Sequence, residues 1–198
     1  MSRFALAVAA VTAVSLVFAG VAGASLPRPK TTRIVPLSSI AGVKLGMTAS
    51  RVKAQWRVAG QCSGSGEQVC LWNDGPYERA SVRFRKGKVV QVGIGGQTAA
   101  CTINPFVFPT LKAWRTSSGL GLLSSRADVA AKLPGVTGNG SEAVPFQVRR
   151  KAGGKTVRFA LNTGALTSGG FGPGCGDHGP PADPFKDTVT SLTLAYFP

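Results

Sequence analysis

The sequence is poor in acidic side chains and contains a single histidine. Eight Asp and Glu residues stand against 23 Lys and Arg residues, which gives a formal net charge of +15 at pH 7. No two acids are spaced like a general acid and base, and His178 has no evident nucleophile or orienting carboxylate. The composition therefore predicts a protein that is not an enzyme and that needs no cofactor.

Long apolar runs are also missing, except for one at the N-terminus. Arg3 precedes the uncharged run Phe4–Ala19, and small residues follow up to Ala24. This three-part pattern is typical of a secretory signal peptide. The run is shorter than the roughly 20 residues that span a membrane, and no second run follows. We expect cleavage after Ala24 and a secreted, extracellular or envelope-associated protein, with an uncleaved anchor as the alternative.

Cysteine is limited to four residues, an even number. In an exported chain such cysteines are candidates for two disulfides rather than for metal ligands. Zinc sites usually combine several Cys or His residues at short spacing, and this chain has one His. Cys175, Asp177 and His178 place three ligand types in one loop, but a disulfide at Cys175 would leave only two. We expect no metal site.

One stretch of the sequence occurs twice. Residues 42–56 (GVKLGMTASRVKAQW) and 119–133 (GLGLLSSRADVAAKL) align without a gap at an offset of 77 positions. Each copy predicts a short helix, because Thr48 and Ser125 can accept the unpaired amide hydrogens of a first turn. Asp128 completes a capping box with Ser125. The residues expected on the buried helix faces are Val52, Trp56, Val129 and Leu133.

Candidate strands follow each predicted helix. Lys86-Gly87 and Gly153-Gly154 suit tight hairpin turns between them. The predicted strands are residues 67–72, 78–85 and 88–95 in the first half and 144–151, 155–161 and 188–197 in the second. These elements predict an α+β fold: two tandem helix-then-three-strand units that share one antiparallel sheet, with both helices on one face.

This fold divides the chain into a leader and two units. The predicted parts are a signal peptide at 1–24, a Pro-rich basic linker at 25–36, a first unit at 37–100, and a second unit at 101–198 with an inserted Gly/Pro-rich loop at 162–186. A sheet with helices on one face leaves its other face open. Because side chains alternate along a strand, Arg83 and Arg158 are expected on that open face.

The first copy resembles a known helix motif. Leu45-Gly46-Met47-Thr48, followed by a short helix with Val52 and a Cys-bearing loop, resembles the "GMT" helix of the BamE/SmpA-like family. The tandem arrangement resembles the secreted beta-lactamase inhibitory protein (BLIP-like) family. The second copy departs from the motif, because Leu123-Ser124-Ser125 replaces "GMT" and no Cys follows Leu133.

The resemblance implies a disulfide pattern. In the BLIP-like family a disulfide tends to join the end of each helix to the first strand, and Cys62 and Cys70 occupy those places in the first unit. Cys101 and Cys175 would then pair, which would tie the inter-unit linker to the inserted loop. The resemblance implies two units on one curved sheet and does not name a partner.

The leading functional hypothesis is a non-enzymatic protein-binding module, with inhibition of an extracellular or cell-wall enzyme as its specific form. The open sheet face would bind a protein partner of unknown identity, because aromatic and Arg side chains are favoured as interface anchors. Trp72 could equally be a core residue. The residues predicted to contact the partner are Trp72, Tyr77, Arg83 and Arg158.

The alternative hypothesis is a basic protein that attaches to anionic cell-wall polymers or lipid. Clustered cations attract such surfaces over long distances, although they can also serve only as a solvated face. The predicted anion-binding residues are Arg85, Lys86, Lys88, Arg149, Arg150, Lys151 and Lys155. Nucleic acid is not expected, since an exported protein meets little of it and no recognised motif is present. We expect a monomer.

Overall fold

Antiparallel strands dominate the fold. The computed structural model describes residues 25–74, 78–96, 110–141, 143–163 and 187–197. Seven strands form one sheet in the order β4-β5-β6-β7-β10-β9-β8. Their bounds are β4 Gln61–Ser63, β5 Glu67–Asp74, β6 Glu78–Arg85, β7 Lys88–Gly96, β8 Phe146–Ala152, β9 Lys155–Thr163 and β10 Val189–Phe197. A small sheet of two-residue strands precedes it, consisting of β1 Ile34–Val35, β2 Ser39–Ile40 and β3 Val43–Lys44.

The two halves of the chain meet in the middle of the large sheet. β7 of the first half pairs antiparallel with β10, the last strand, so that Val92 lies opposite Leu194 and Ile94 opposite Leu192. All four of these side chains are buried. The apolar residues of both halves form one continuous core cluster, so the halves share a single hydrophobic core.

The predicted fold class is wrong. The described chain has only two short helices, α1 Ala49–Trp56 and α2 Arg126–Lys132, and is strand-dominated rather than built of two helix-then-three-strand units. The prediction missed β4 and the entire small sheet. β4 is exposed at all three positions and β1 to β3 have two residues each, so none of them shows the alternation of polar and apolar residues that indicates a strand.

Both helices occur where the repeated stretch predicts them, but only one has the predicted cap. Ser125 is the N-cap of α2, and its hydroxyl accepts from the Asp128 amide at 3.0 Å. Thr48 is the N-cap of α1, yet its side chain caps no amide and instead lies 3.0 Å from the Ser50 hydroxyl. α1 buries Val52 and Trp56, four residues apart on one face, and α2 buries Val129.

The segment predicted as a linker packs against the fold. Leu26 is buried, and the amides of Arg28 and Lys30 donate to the carbonyls of Trp56 and Gln55 at 2.9 and 3.1 Å. Further along, the Ile34 amide donates to the carbonyl of Arg115 at 2.8 Å. Residues 25–36 therefore contact both the end of α1 and the chain that enters the second half.

Asp128 stabilises the first turn of α2 in its ionised form. Its carboxylate accepts a hydrogen bond from the Ser125 hydroxyl at 2.8 Å and forms an ion pair with Lys132 one turn later. Hydrogen bonding to Lys132 is the main reason that the pKa of Asp128 lies below its ordinary value of 3.8, and the bond from Ser125 lowers it further.

We expect Asp128→Asn to lower the free energy of unfolding at pH 7 and to have a shrinking effect as the pH falls below about 4. The folded-state pKa is depressed, so the carboxylate contributes stability above its unfolded-state pKa and loses that contribution as the pH falls through its folded-state pKa. Urea titrations of the wild type and the variant at pH 7 and pH 3 measure the difference. An equal difference at both pH values would contradict the assignment.

Candidate protein-binding face

The face of the large sheet opposite the core is its candidate binding surface. On β6, Ala80, Val82 and Phe84 are buried while the alternating Arg79, Arg83 and Arg85 are exposed. We call the side bearing these arginines the open face. Its other members follow from the strand register, because residues directly opposite each other project to the same side of a sheet.

One row of residues carries positive charge across most of the open face. Arg83 lies opposite Gln91, Gln91 opposite Ala195, Ala195 opposite Arg158, and Arg158 opposite Arg149. We call these five residues the arginine row. Since neighbouring strands are about 4.8 Å apart, the backbones at Arg83 and Arg158 are about 14 Å apart.

Few acids balance the arginine row. Glu67 is the only acid on the described part of the open face, where it forms ion pairs with Arg83, at 3.7 Å, and with Arg85. The side chains of Arg83 and Arg85 remain 47% and 64% exposed. Ion pairs this exposed are weak, so both guanidinium groups stay available to an anionic partner.

The cations at the other end of the row are held by an aromatic ring. The guanidinium carbons of Arg149 and Arg158 lie 4.5 and 4.8 Å from the centre of the Phe197 ring. Arg149 also donates two hydrogen bonds to Gln147 Oε1, at 3.2 and 3.0 Å. Arg158 Nε is buried and has no hydrogen-bond partner in the described part of the chain. Stacking fixes these guanidinium planes without neutralising their charge.

A shallow groove of about 180 Å³ adjoins the arginine row. Its floor is β7 at Gly93 and Gly95, and hydroxyls from Ser81, Ser191 and Thr193 line it. A Cβ atom at Gly93 would lie 3.0 Å from Ser81 Oγ, which shows how closely the small side chains approach this backbone. Glycine and serine at these places leave the centre of the open face lower than its arginine-bearing flanks.

Both cationic hairpins lie at the same end of the sheet. β10 separates β7 from β9 and runs antiparallel to each, with Ala195 opposite Gln91 and Phe197 opposite Thr156. The turns at 86–87 and 153–154 therefore project from one end, which we call the cationic end. Lys86, Gly87, Gly153 and Gly154 all have positive φ, as two-residue hairpin turns require. Lys155 lies over the Tyr196 ring at 4.7 Å.

The structure separates the four predicted protein contacts. Arg83 and Arg158 lie on the open face, and their part in binding stays a prediction. Trp72 lies opposite Ala80 on the buried side, is 3% exposed and donates from its indole nitrogen to the Val58 carbonyl at 3.0 Å. Of the two alternatives for Trp72, a partner contact or a core residue, the second is the one observed, so Trp72 is not available to a partner. Tyr77 lies outside the described residues.

The predicted anion-binding residues fall into two groups. Arg85, Arg149 and Lys151 occupy open-face positions, whereas Lys86 and Lys88 lie at or beside the first turn. Arg150 projects to the opposite side of β8, since it lies opposite the buried Val157. Lys155 begins β9 at the cationic end. All seven residues are exposed.

Sequence reasoning missed Phe197 and the glycine floor as parts of the site. A signal for the floor is present in the sequence GIGG at 93–96, because glycine within a strand often marks a close approach by another backbone or a ligand. Phe197 carries no comparable local signal. Its importance depends on β9 and β8 bringing Arg158 and Arg149 alongside it.

The Cys62–Cys70 disulfide is confirmed. The two cysteines lie directly opposite each other on β4 and β5. The predicted pair Cys101–Cys175 lies outside the described residues, as do His178 and the predicted signal peptide. Within the described ranges, no three His, Cys, Asp or Glu side chains are grouped to hold a metal ion. Neither described helix is long and apolar enough to cross a membrane.

The comparisons with known proteins correct the predicted family. No protein-family model matches the chain, and no curated protein sequence does so either. The chain resembles the structure of a cysteine-rich secretory protein from Staphylococcus aureus subsp. aureus Mu50, with a TM-score of 0.41, 11% identity, and coverage of 87% of this chain and 49% of the other. It also resembles an extracellular protein containing a SCP domain from Bacillus anthracis str. Ames, with a TM-score of 0.39, 13% identity, and coverage of 76% and 43%.

The chain thus spans about half, or less, of each of these solved chains. No BamE-like or BLIP-like family model matches the chain, and its described part is strand-dominated rather than built of two helix-then-three-strand units. The predicted resemblance to the BamE/SmpA-like and BLIP-like families is therefore wrong.

Proposed function

We propose that this chain is an exported, non-enzymatic protein-binding module whose open face binds an acidic protein surface. The observation that carries the proposal is the arginine row, in which Arg83, Arg158 and Arg149 share one face of the sheet. The opposing charge there comes from Glu67 alone within the described residues. Such a surface attracts acidic partners and favours bidentate contacts with carboxylates.

Export is supported by the sequence and by the disulfide. Residues 1–24 have the three parts of a signal peptide, and Cys62–Cys70 suits an oxidising compartment. Binding is preferred to catalysis because the described groove is lined by hydroxyls, glycines and an arginine, without an acid or a histidine. Inhibition of an extracellular or cell-wall enzyme stays a prediction about what the binding achieves.

The experiment compares two variants that remove equal charge from opposite sides of the molecule. The open-face variant combines Arg83→Gln, Arg149→Gln and Arg158→Gln. The control combines Arg51→Gln, Lys53→Gln and Arg57→Gln, which are exposed positions on or beside α1. α1 packs on the core side through Trp56 and Trp72, so these control cations lie away from the open face.

We expect immobilised wild type and control to enrich the same acidic protein from the culture medium of the producing organism. The open-face variant should bind that protein at least tenfold more weakly, since about 1.4 kcal/mol of lost interaction accounts for each factor of ten. Equal affinity of all three proteins would contradict the proposal, and so would a partner that is lost with the control variant alone.

A second candidate function is attachment to anionic wall polymers or lipid through the cationic end. The observation in its favour is that both hairpins place their cations at one end of the sheet. A variant with Lys86→Gln, Arg150→Gln and Lys155→Gln tests it. Polymer attachment predicts loss of vesicle or wall binding in this variant and in high salt, which screens exposed charges beyond about 8 Å. Protein binding through the open face predicts that the variant keeps its partner.

A further inference from the structure

The groove on the open face has the shape to receive a polypeptide backbone. Three of the four strand residues opposite Gly93 and Gly95 are small: Ser81 on β6, and Ser191 and Thr193 on β10. The fourth is Arg79 on β6, which lies opposite Gly95 and lines one side of the groove. At Gly95, a Cβ atom would lie 2.9 Å from the Cβ atom of Ser191, so the neighbouring strands close tightly around a floor without side chains. Glycine allows another main chain to approach a sheet closely.

The arginine row has the spacing to bind acidic side chains beside that groove. Two of its arginines, Arg83 and Arg158, project from backbones about 14 Å apart. Residues i and i+4 of an extended segment are also about 13–14 Å apart, and they project to the same side because the side-chain period is two. A segment that crosses the strands alongside the row would therefore place acids four residues apart near Arg83 and Arg158.

The arginines at one end are already oriented for such contacts. Phe197 stacks against both Arg158 and Arg149, and Gln147 fixes Arg149 through two hydrogen bonds. A guanidinium held in place loses less side-chain entropy when it binds a carboxylate than a free one does.

We propose that the acidic partner contributes an extended segment that crosses the strands of the open face beside the arginine row, over Gly93, with acids at positions i and i+4 bound by Arg83 and by the Arg158–Arg149 pair. The inference rests on the proposed function and specifies the recognition element. The groove supplies close backbone approach, and the arginine row supplies specificity for acid spacing. A polymer of phosphates lacks a peptide backbone, so close approach over the glycine floor would not strengthen its binding.

The test uses capped synthetic peptides and the full exported chain. The first peptide, acetyl-GEGGGEG-amide, has glutamates four positions apart, the second has them two apart, and the third has glutamines in place of both. Amide shifts of the labelled protein, followed by NMR during titration, give the affinity and the binding site. Inorganic polyphosphate of equal charge is titrated in parallel.

We expect the first peptide to shift the amide signals of Gly93 and Gly95 and to bind at least fivefold more tightly than either of the other peptides. Gly93→Val, which fills the floor without changing charge, should weaken the first peptide at least fivefold, whereas Arg51→Gln should not. Thr193→Phe is a second variant that fills the groove. The side chain at position 193 already projects to the open face, so a larger one enters the groove without moving the backbone.

Distinct outcomes separate the inference from the proposed function. If the first peptide binds but both filled-groove variants bind it as tightly as the wild type, the inference is wrong and the proposed function stands. Polyphosphate that shifts Gly93 and Gly95 as strongly as the peptide also overturns the inference. The proposed function fails instead if the open-face variant retains the captured partner.

Discussion

Trp56→Ala should lower the free energy of unfolding by about 3–5 kcal/mol, the usual cost of removing a large aromatic side chain from a core. Trp56 lies on the last turn of α1 and is fully buried. Its ring meets Trp72 edge-on, with centroids 4.7 Å apart, and packs at a tilt against Trp114 at 5.9 Å. Its indole nitrogen donates to the Ala41 carbonyl at 3.2 Å.

The size of the effect follows from what this side chain joins. Trp72 belongs to β5 of the large sheet, Ala41 lies between the small strands β2 and β3, and Trp114 belongs to the chain that enters the second half. The protein has three tryptophans in all, and they form one contact group. An alanine at position 56 therefore leaves a cavity at the junction of the helix, both sheets and the inter-half segment, where little can collapse to fill it.

Urea titration followed by near-ultraviolet circular dichroism measures the loss. Lys53→Ala is the matched control, because residue 53 lies on the same helix but is exposed, and its effect should stay within about 0.5 kcal/mol. Trp56→Phe keeps an aromatic ring and removes the indole hydrogen bond, so we expect about 1–2 kcal/mol. The Ala41 carbonyl then still faces the Gln55 amide at 3.4 Å. A Trp56→Ala loss no larger than that of Lys53→Ala would contradict this account of the core.

The sequence predicted strand bounds correctly where one face of the strand is buried and the other is exposed to solvent. ERASVRFR predicts a strand at 78–85, and β6 has those bounds, since Ala80, Val82 and Phe84 alternate with polar residues. The same alternation placed Arg83 and Arg158 on the open side. β4, by contrast, is exposed at all three positions. It pairs with β5 so that Cys62 lies opposite Cys70. No pattern of alternating burial could therefore reveal this strand.

The candidate site depends on pairing between strands that are distant in sequence. Gln91 and Ala195 lie next to each other only because β7 pairs with β10, and this pairing brings the arginines of the two halves into one row. Local patterns say which side of a strand a residue occupies, but they do not say which strands are neighbours. Trp72 shows the same limit. The local sequence left open whether it is a core or a surface residue, and its pairing opposite the buried Ala80 places it on the core side.

The position of the arginine row also has a consequence for how binding and stability relate. The arginine row and groove lie on the face of the sheet opposite the tryptophan group, so the two surfaces share backbone but not side-chain contacts. Substitutions of the exposed arginines Arg83 and Arg149 should therefore change binding with little effect on unfolding, since exposed positions away from the core usually matter by less than about 0.5 kcal/mol. Charge-removing variants at these two positions should therefore fold, so that a loss of binding can be assigned to the missing charge.

Glu78→Ala should be the second most damaging single change, at about 2–4 kcal/mol. Glu78 is the first residue of β6 and is buried on the core side. Its Oε1 atom accepts hydrogen bonds from the backbone amides of Thr110 and Leu111, at 2.9 and 2.7 Å. These amides open the short 3₁₀ helix Leu111–Ala113, which leads to Trp114.

The cost arises because alanine would leave the buried amide of Leu111 and the part-buried amide of Thr110 without their acceptor, and an unsatisfied buried donor costs about 1–3 kcal/mol. Glu78→Gln is the discriminating control, since its amide oxygen can accept from the same two donors in the same space. We expect thermal and urea unfolding to show a much smaller loss for Gln than for Ala. If Gln and Ala destabilise equally, the carboxylate contributes through its charge rather than as an acceptor. If Ala is harmless, the segment that carries Trp114 is held by its apolar contacts alone.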